Sequence, residues 1–175
     1  MNTVWLVEPL SAGKHRRNDF LCEEPELVEF LRHRALPEME SRASACFVLV
    51  PKKDPGRIVG FYTLSAATIR LARLSPELAA PLPKYPNLPA TLLGRLARDQ
   101  NFRGAGVGDL LLVSALRRAL DTTSSVGSVA VVTDPKNAPA EAFYSKHGFR
   151  SLGGGRRMFL TMKEVAAALE TGGVT

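Results

Sequence analysis

Between Thr91 and Leu120 the chain reads T-L-L-G-R-L-A-R-D-Q-N-F-R-G-A-G-V-G-D-L-L-L-V-S-A-L-R-R-A-L, and this stretch constrains the fold more than any other. An apolar segment, Thr91 to Ala97, enters a short polar turn. The turn opens into a hexad of small residues headed by an arginine, Arg103-Gly104-Ala105-Gly106-Val107-Gly108, and a long apolar run ending in arginines follows. Strand, small-residue loop and helix in that order make an anion site. The first turn of a helix carries unpaired N–H groups and a positive dipole end, and glycines admit a phosphate close to the backbone. On spacing alone the hexad is equally a tight strand-to-helix connection with no ligand. It is not a Walker A loop, since no Gly-Lys-Ser/Thr follows, and the dinucleotide spacing G-x-G-x-x-G is absent.

The flanking sequence supplies a frame for this unit. Thr3 to Val7 reads as a first strand. Glu24 to Ala35 reads as a helix, with Leu27, Phe30, Leu31 and Arg34 at helical spacing and Pro37 marking its end. Cys46 to Val50, Ile58 to Leu64 and Thr68 to Leu74 read as three strands of an antiparallel meander. Leu78 to Pro89, with prolines at 81, 83, 86 and 89, reads as an irregular connection without helix or strand, because proline fixes φ and supplies no N–H. Ser128 to Asp134 is a strand of buried type. Asn137 to His147 is a helix with Ala140, Phe143 and Tyr144 inward, and Gly148 suits the left-handed position that closes it. A last strand, Arg156 to Met162, and a short helix, Lys163 to Glu170, complete the frame. The pattern is α/β: one domain over residues 1–170, a mixed, mostly antiparallel sheet flanked by helices with a βαβ unit, and a frayed tail over 171–175.

Composition excludes several classes. The 175 residues contain no uninterrupted apolar run of membrane-spanning length and no basic start leading to a cleavage site, so a cytoplasmic protein without membrane contact is expected. Cys22 and Cys46, and the three histidines, lack metal-ligand spacing; no metal and no disulfide are expected. A net charge of +6 favours an anionic partner, coenzyme A or the larger RNA. Candidate RNA contacts are Arg16 and Arg17 in the cluster Lys14-His15-Arg16-Arg17, together with Lys84, Arg95 and Arg98; Arg32, Arg34 and Arg42 are further ones. Each reads equally as a solvated surface charge.

Arg103, Gly106 and Gly108 fill the three defined places of R/Q-x-x-G-x-G/A, the pyrophosphate-binding signature of the GNAT acyltransferases. Asp134-Pro135-Lys136-Asn137 and Phe143-Tyr144-Ser145-Lys146-His147-Gly148-Phe149 resemble the same fold. Upstream, Gly60 to Ile69, Leu82 to Pro86, and the Phe20 to Ala35 pattern resemble a narrower branch, the GNAT toxins of type II toxin–antitoxin systems. The resemblance implies acetyl-CoA as co-substrate, aminoacyl-tRNA as substrate, acetylation of the α-amine of its amino acid, and a block of translation. It further implies a ribbon-helix-helix antitoxin and a homodimer. The chain departs from the branch at Glu23 (commonly glycine), Arg98 (commonly valine) and Pro135 (commonly alanine).

Acetyl transfer needs a held thioester, an uncharged amine, a stabilised oxyanion and a proton for the thiolate. The resemblance assigns the cofactor's pyrophosphate to the backbone from Arg103 through Gly104, Ala105, Gly106 and Val107 to Gly108. It assigns the pantetheine amides to Leu96, Ala97 and Arg98, and a further contact to Asn137. Tyr144 is the implied general acid; from the residues alone it packs just as well beside Phe143 and Phe149. No histidine or glutamate stands out as a base. An α-amine, with pKa about 8, is roughly one-tenth neutral at pH 7, whereas a lysine near 10.4 is neutral about once in two thousand, so the missing base favours an aminoacyl ester over a protein lysine. Two alternatives stand beside this reading: an N-acetyltransferase for small-molecule or peptide amines, and a non-catalytic acyl-CoA- or RNA-binding module.

Overall fold

The computed structural model describes residues 2–171, so the expected tail lies outside the described residues except for Thr171. Strands β1 (Trp5–Pro9), β2 (Ala45–Pro51), β3 (Gly60–Arg70), β4 (Asn87–Arg98), β5 (Ala130–Thr133), β6 (Arg150–Ser151) and β7 (Met158–Thr161) alternate with helices α1 (Pro25–Glu29), α2 (Ala35–Glu40), α3 (Pro76–Ala79), α4 (Val107–Thr122), α5 (Ala138–Lys146) and α6 (Met162–Glu170). The strands form one sheet in the order β1-β2-β3-β4-β5-β7-β6. Pairing is antiparallel for β1/β2, β2/β3, β5/β7 and β6/β7, and parallel for β4/β5, as a βαβ crossover through α4 requires.

Packing divides the chain into two compact units. One holds the residues up to Ser65 together with Leu93–Ala115; the other holds Ala66–Leu92 and the residues from Leu116 onward. In the first, Phe20, Phe30 and Phe61 form the centre of the core, with ring centroids 5.5 Å apart for Phe20/Phe61 and 6.1 Å for Phe30/Phe61. Arg95 lies 3.7 Å above the Phe30 ring, so a guanidinium covers the apolar centre. In the second, Ile69, Ala90, Ala130, Val132, Leu152 and Phe159 pack together.

Several expected boundaries are corrected. The strands expected at Ile58–Leu64 and Thr68–Leu74 are one strand, β3, ending in a 3-10 turn at Leu71–Arg73. Ser65, Ala66 and Ala67 contain neither glycine nor proline, so nothing breaks the extended chain there. Helix does not stop at Pro37 but continues to Glu40. A π-turn over Phe30–Arg34, closed by the Ala35 N–H donating to the Phe30 carbonyl, precedes it. Pro37 then falls in the first turn of a new α segment, where its missing N–H costs little. The proline-rich stretch begins inside one turn of helix, α3, and its last three residues, Asn87 to Pro89, lie within β4. Pro89 is exposed there, and its carbonyl accepts from the Val129 N–H. The two-residue β6 was not anticipated; it pairs Arg150 with Phe159 and Ser151 with Met158.

Candidate active site

The small-residue loop is built from both ends. Asp99, fully buried at the end of β4, accepts from the backbone N–H groups of Leu21 (3.1 Å) and Asn101 (2.8 Å), and Arg57 approaches to 3.5 Å. The Asp99 N–H donates to the Val59 carbonyl, and the Gln100 N–H to the Leu21 carbonyl. This knot fixes the chain just before Arg103. Gly104 and Gly106 then adopt φ of +80° and +73°, values that L side chains rarely take, and a Cβ at either position would stand in open space. Space is therefore not what requires glycine at these positions; the backbone turn is. The turn delivers the chain to α4, whose N-terminal N–H groups form the positive end of the helix dipole. The donor set suits a diphosphate.

The strand end next to this loop is also set by packing. The parallel register of β4 with β5 covers Thr91 and Leu92, and the rest of β4, Leu93–Arg98, runs on beyond those pairs. Burial along β4 changes phase there: Leu88 and Ala90 are buried at period two, then Leu93 and Ala97, which a bulge in the strand would produce. Gly60 lies against this segment because a Cβ would come within 2.9 Å of the Ala97 carbonyl oxygen and 2.7 Å of Leu111. Leu96 and Arg98 are half-buried and Ala97 is buried, so backbone rather than side chains is what this strand end has to offer.

Two departures from the family pattern meet here. The Glu23 carboxylate pairs with Arg103 and lies 3.8 Å from Arg98. Arg98 Nε is buried without a hydrogen-bond partner among the described residues. The charge that Arg98 adds is thus balanced by the charge that Glu23 adds. Sequence reading noted both residues but not their pairing, since nothing in their spacing brings them together.

Tyr144 lies on α5, within the second unit. Asn137 is the N-cap of this helix: its side-chain oxygen accepts from the Ala140 N–H at 3.0 Å. The far end closes with Gly148 at φ +91°, the Gly148 N–H donating to the Ser145 carbonyl and the Phe149 N–H to the Tyr144 carbonyl. Between those two caps the Tyr144 side chain is 7% exposed, with Phe143 and Phe149 at ring distances of 5.2 and 5.3 Å. Burial pushes its pKa above the usual phenol value, and a hydrogen bond to the Thr133 side chain opposes part of that shift. The phenol is therefore an acid that keeps its proton across the physiological range. Thr133, at the end of β5, was missed from sequence, where it reads only as a strand residue.

The expected RNA contacts are placed less simply. Arg16 is bonded to Asp19 (3.0 Å) and Asp54 (2.8 Å), and Arg17 donates to the Arg32 carbonyl at 2.9 Å. Lys14 and His15 both engage Glu8. The basic cluster thus works as a set of ties for its own loop. Arg95 covers Phe30 and lies 3.9 Å from Glu38, and Lys84 donates to the Ala79 and Ala80 carbonyls at the end of α3. No helix of the described residues is long and apolar enough to cross a membrane, and among them no three His, Cys, Asp or Glu side chains cluster for a metal.

A model of the acetyltransferase (GNAT) family matches residues 14–149, and the chain belongs to that family. It has the single-domain α/β GNAT fold and is an N-acetyltransferase with acetyl-CoA as co-substrate. Among curated relatives, a tRNA-acetylating toxin of Mycobacterium tuberculosis is 35% identical over 74% of this chain and 75% of its own length. A probable toxin TacT of Sinorhizobium fredii is 28% identical over 94% of each. Among solved structures, AtaT complexed with acetyl-methionyl-tRNAfMet superposes with a TM-score of 0.87 at 25% identity, covering 95% of this chain and 99% of that one. A mutant of AtaT bound to the C-terminus of the antitoxin AtaR shares the fold at a TM-score of 0.80 and 23% identity, over 93% of this chain and 96% of that one.

Proposed function

We propose that this protein is a toxin that acetylates the α-amine of the amino acid on a charged tRNA, so that the blocked amine no longer forms a peptide bond. The observation that carries the chemistry is Tyr144, a buried phenol whose proton is retained well above neutral pH. Support for the substrate comes from the relatives: one is named for tRNA acetylation, and AtaT was solved with an acetylated methionyl-tRNA.

Acetyl-CoA supplies the acetyl group and a thiolate leaving group. Gly104, Gly106 and the first turn of α4 hold the pyrophosphate through backbone N–H groups, and Arg103 exchanges Glu23 for phosphate oxygens. The backbone of Leu96–Arg98 pairs with the pantetheine amides and donates an N–H to the carbonyl oxygen on which charge develops. Tyr144 Oη gives its proton to the departing sulfur, and the Thr133 hydroxyl steadies the phenolate that results. Asn137 caps α5 through its side-chain oxygen and adds a further contact to the cofactor.

The pairing extends to partners. A ribbon-helix-helix antitoxin holds the toxin inactive, and the toxin forms a homodimer. Action on charged tRNA places the protein in the cytoplasm. RNA contact falls to basic residues including Arg16, Arg17, Lys84 and Arg95, all four of which have exposed or partly exposed side chains. The test is incubation with charged tRNA and labelled acetyl-CoA. Label on the aminoacyl group is expected; label confined to free amines or lysine side chains overturns the substrate.

A further inference from the structure

We propose that the open pocket between the end of β3 and the proline-rich loop binds a single-stranded stretch of RNA, with Tyr85 as the base-stacking platform and Arg70 as the phosphate partner. The pocket, a cavity of about 620 Å³, is lined by Arg70, Leu71, Lys84, Tyr85, Pro86 and Asn87, among others, and its lining contains two cations and no acid. Of the three tyrosines in the chain, Tyr62 and Tyr144 are buried, whereas Tyr85 is 63% exposed. An aromatic ring left in water beside cations is a poor use of apolar area unless a ligand covers it.

The ring is presented rigidly. Pro83 and Pro86 flank it, the Leu71 N–H donates to the Pro86 carbonyl at 3.0 Å, and Lys84 Nζ ties the loop to the last carbonyls of α3. Stacking on such a platform forfeits little conformational entropy. Arg70, the last residue of β3, is exposed and among the described residues has no carboxylate within ion-pairing distance, unlike Arg16, Arg103, Arg150 and Arg157. Its guanidinium is available for a phosphate. Asn87 adds an amide that donates and accepts, suited to a base edge.

A nucleotide uses all three groups at once, since it carries a planar face, an anion and polar edges. An acidic peptide would satisfy Arg70 but leave the tyrosine face uncovered. The inference rests on the reading that charged tRNA is the substrate, because its amino acid is attached to a single-stranded 3′ end.

The test measures anisotropy of a labelled single-stranded RNA oligonucleotide and of tRNA, for wild type, Tyr85→Ala, Tyr85→Phe and Arg70→Gln, with acetyl-CoA affinity as the check on folding. Tyr85→Ala is expected to weaken RNA binding on the order of tenfold, the loss of one stacked base, while Tyr85→Phe retains it. Arg70→Gln is expected to lower the slope of log K against log salt by about one. If charged tRNA is acetylated but Tyr85→Ala and Arg70→Gln bind RNA as wild type does, the pocket assignment falls and the substrate stands. If the oligonucleotide binds through Tyr85 while tRNA is not acetylated, the pocket assignment stands and the substrate falls. RNA binding indifferent to Tyr85, with an antitoxin peptide covering the ring instead, overturns the assignment.

Discussion

The proposed acetyl transfer places its heaviest demand on a single side chain, Tyr144. Tyr144→Phe removes one oxygen from a ring that remains packed between Phe143 and Phe149, so folding and acetyl-CoA binding should persist while turnover falls by about 10²–10⁴. Single-turnover kinetics with a separate measurement of acetyl-CoA affinity would distinguish this from a structural defect; comparable turnover would remove Tyr144 from the mechanism. The pH profile follows from the sign of its shift. The pKa is raised, so the acid form persists beyond pH about 10, and activity should climb through the amine's pKa near 8 without an alkaline fall below pH 10. A descending limb between pH 8 and 9 would contradict that. Glu23 makes a separate residue-scale prediction. Its carboxylate competes with the pyrophosphate for Arg103 and Arg98, so Glu23→Gln should tighten acetyl-CoA binding severalfold at low salt, an effect that salt erases. Calorimetric titration at two ionic strengths measures it.

At the scale of elements, two places show what packing and capping contribute. Helix α6 begins with a complete capping box, the Glu164 N–H donating to Thr161 Oγ1 and the Glu164 carboxylate accepting from the Thr161 N–H, with Arg150 bonded to the same carboxylate. Arg150 first, and then Thr161, holds the Glu164 pKa down at about 2. A depressed carboxylate contributes stability that is present above its unfolded value of about 4.3 and is lost as pH falls toward 2. Glu164→Gln should therefore cost about 1 kcal/mol at pH 7, the range for a capping residue, and flatten acid unfolding between pH 4.5 and 2. Denaturant titrations across that range check both. In the first unit, Gly60→Ala drives a methyl against the Ala97 carbonyl and Leu111, which should cost about 1–3 kcal/mol and shift the strand end proposed to pair with the pantetheine arm. The thermal midpoint and acetyl-CoA affinity should fall together. The elements themselves were legible where periodicity and caps agree, as in α4, α5 with Gly148, and α6. They were misread where a local rule was overridden. Pro37 looked like a terminus, but a π-turn resets the helix in front of it; Pro89 looked like loop, but an exposed strand position tolerates a missing N–H.

The molecule as a whole has a basic excess of +6, yet the charges that drew attention in sequence are largely engaged within the fold. Glu8 serves Lys14 and His15; Asp19 and Asp54 serve Arg16. The toxin reading belongs to this scale. Inducing the wild-type chain in a bacterial host should arrest growth, and Tyr144→Phe should not; equal growth of both would count against the reading. The class of fold and the form of the glycine loop were readable from the residues alone, because both depend on local order: strand, positive-φ glycines, helix, and a closing glycine after a tyrosine helix. Only the tertiary structure decided which charges are free. It joined Glu23 to Arg98 and Arg103, tied Arg16 and Arg17 into their own loop, seated Arg95 on Phe30, and left Arg70 and Tyr85 facing solvent. Partners for a charged side chain are set by distance in space, and residues far apart in the chain approach one another only when the sheet and its helices have packed.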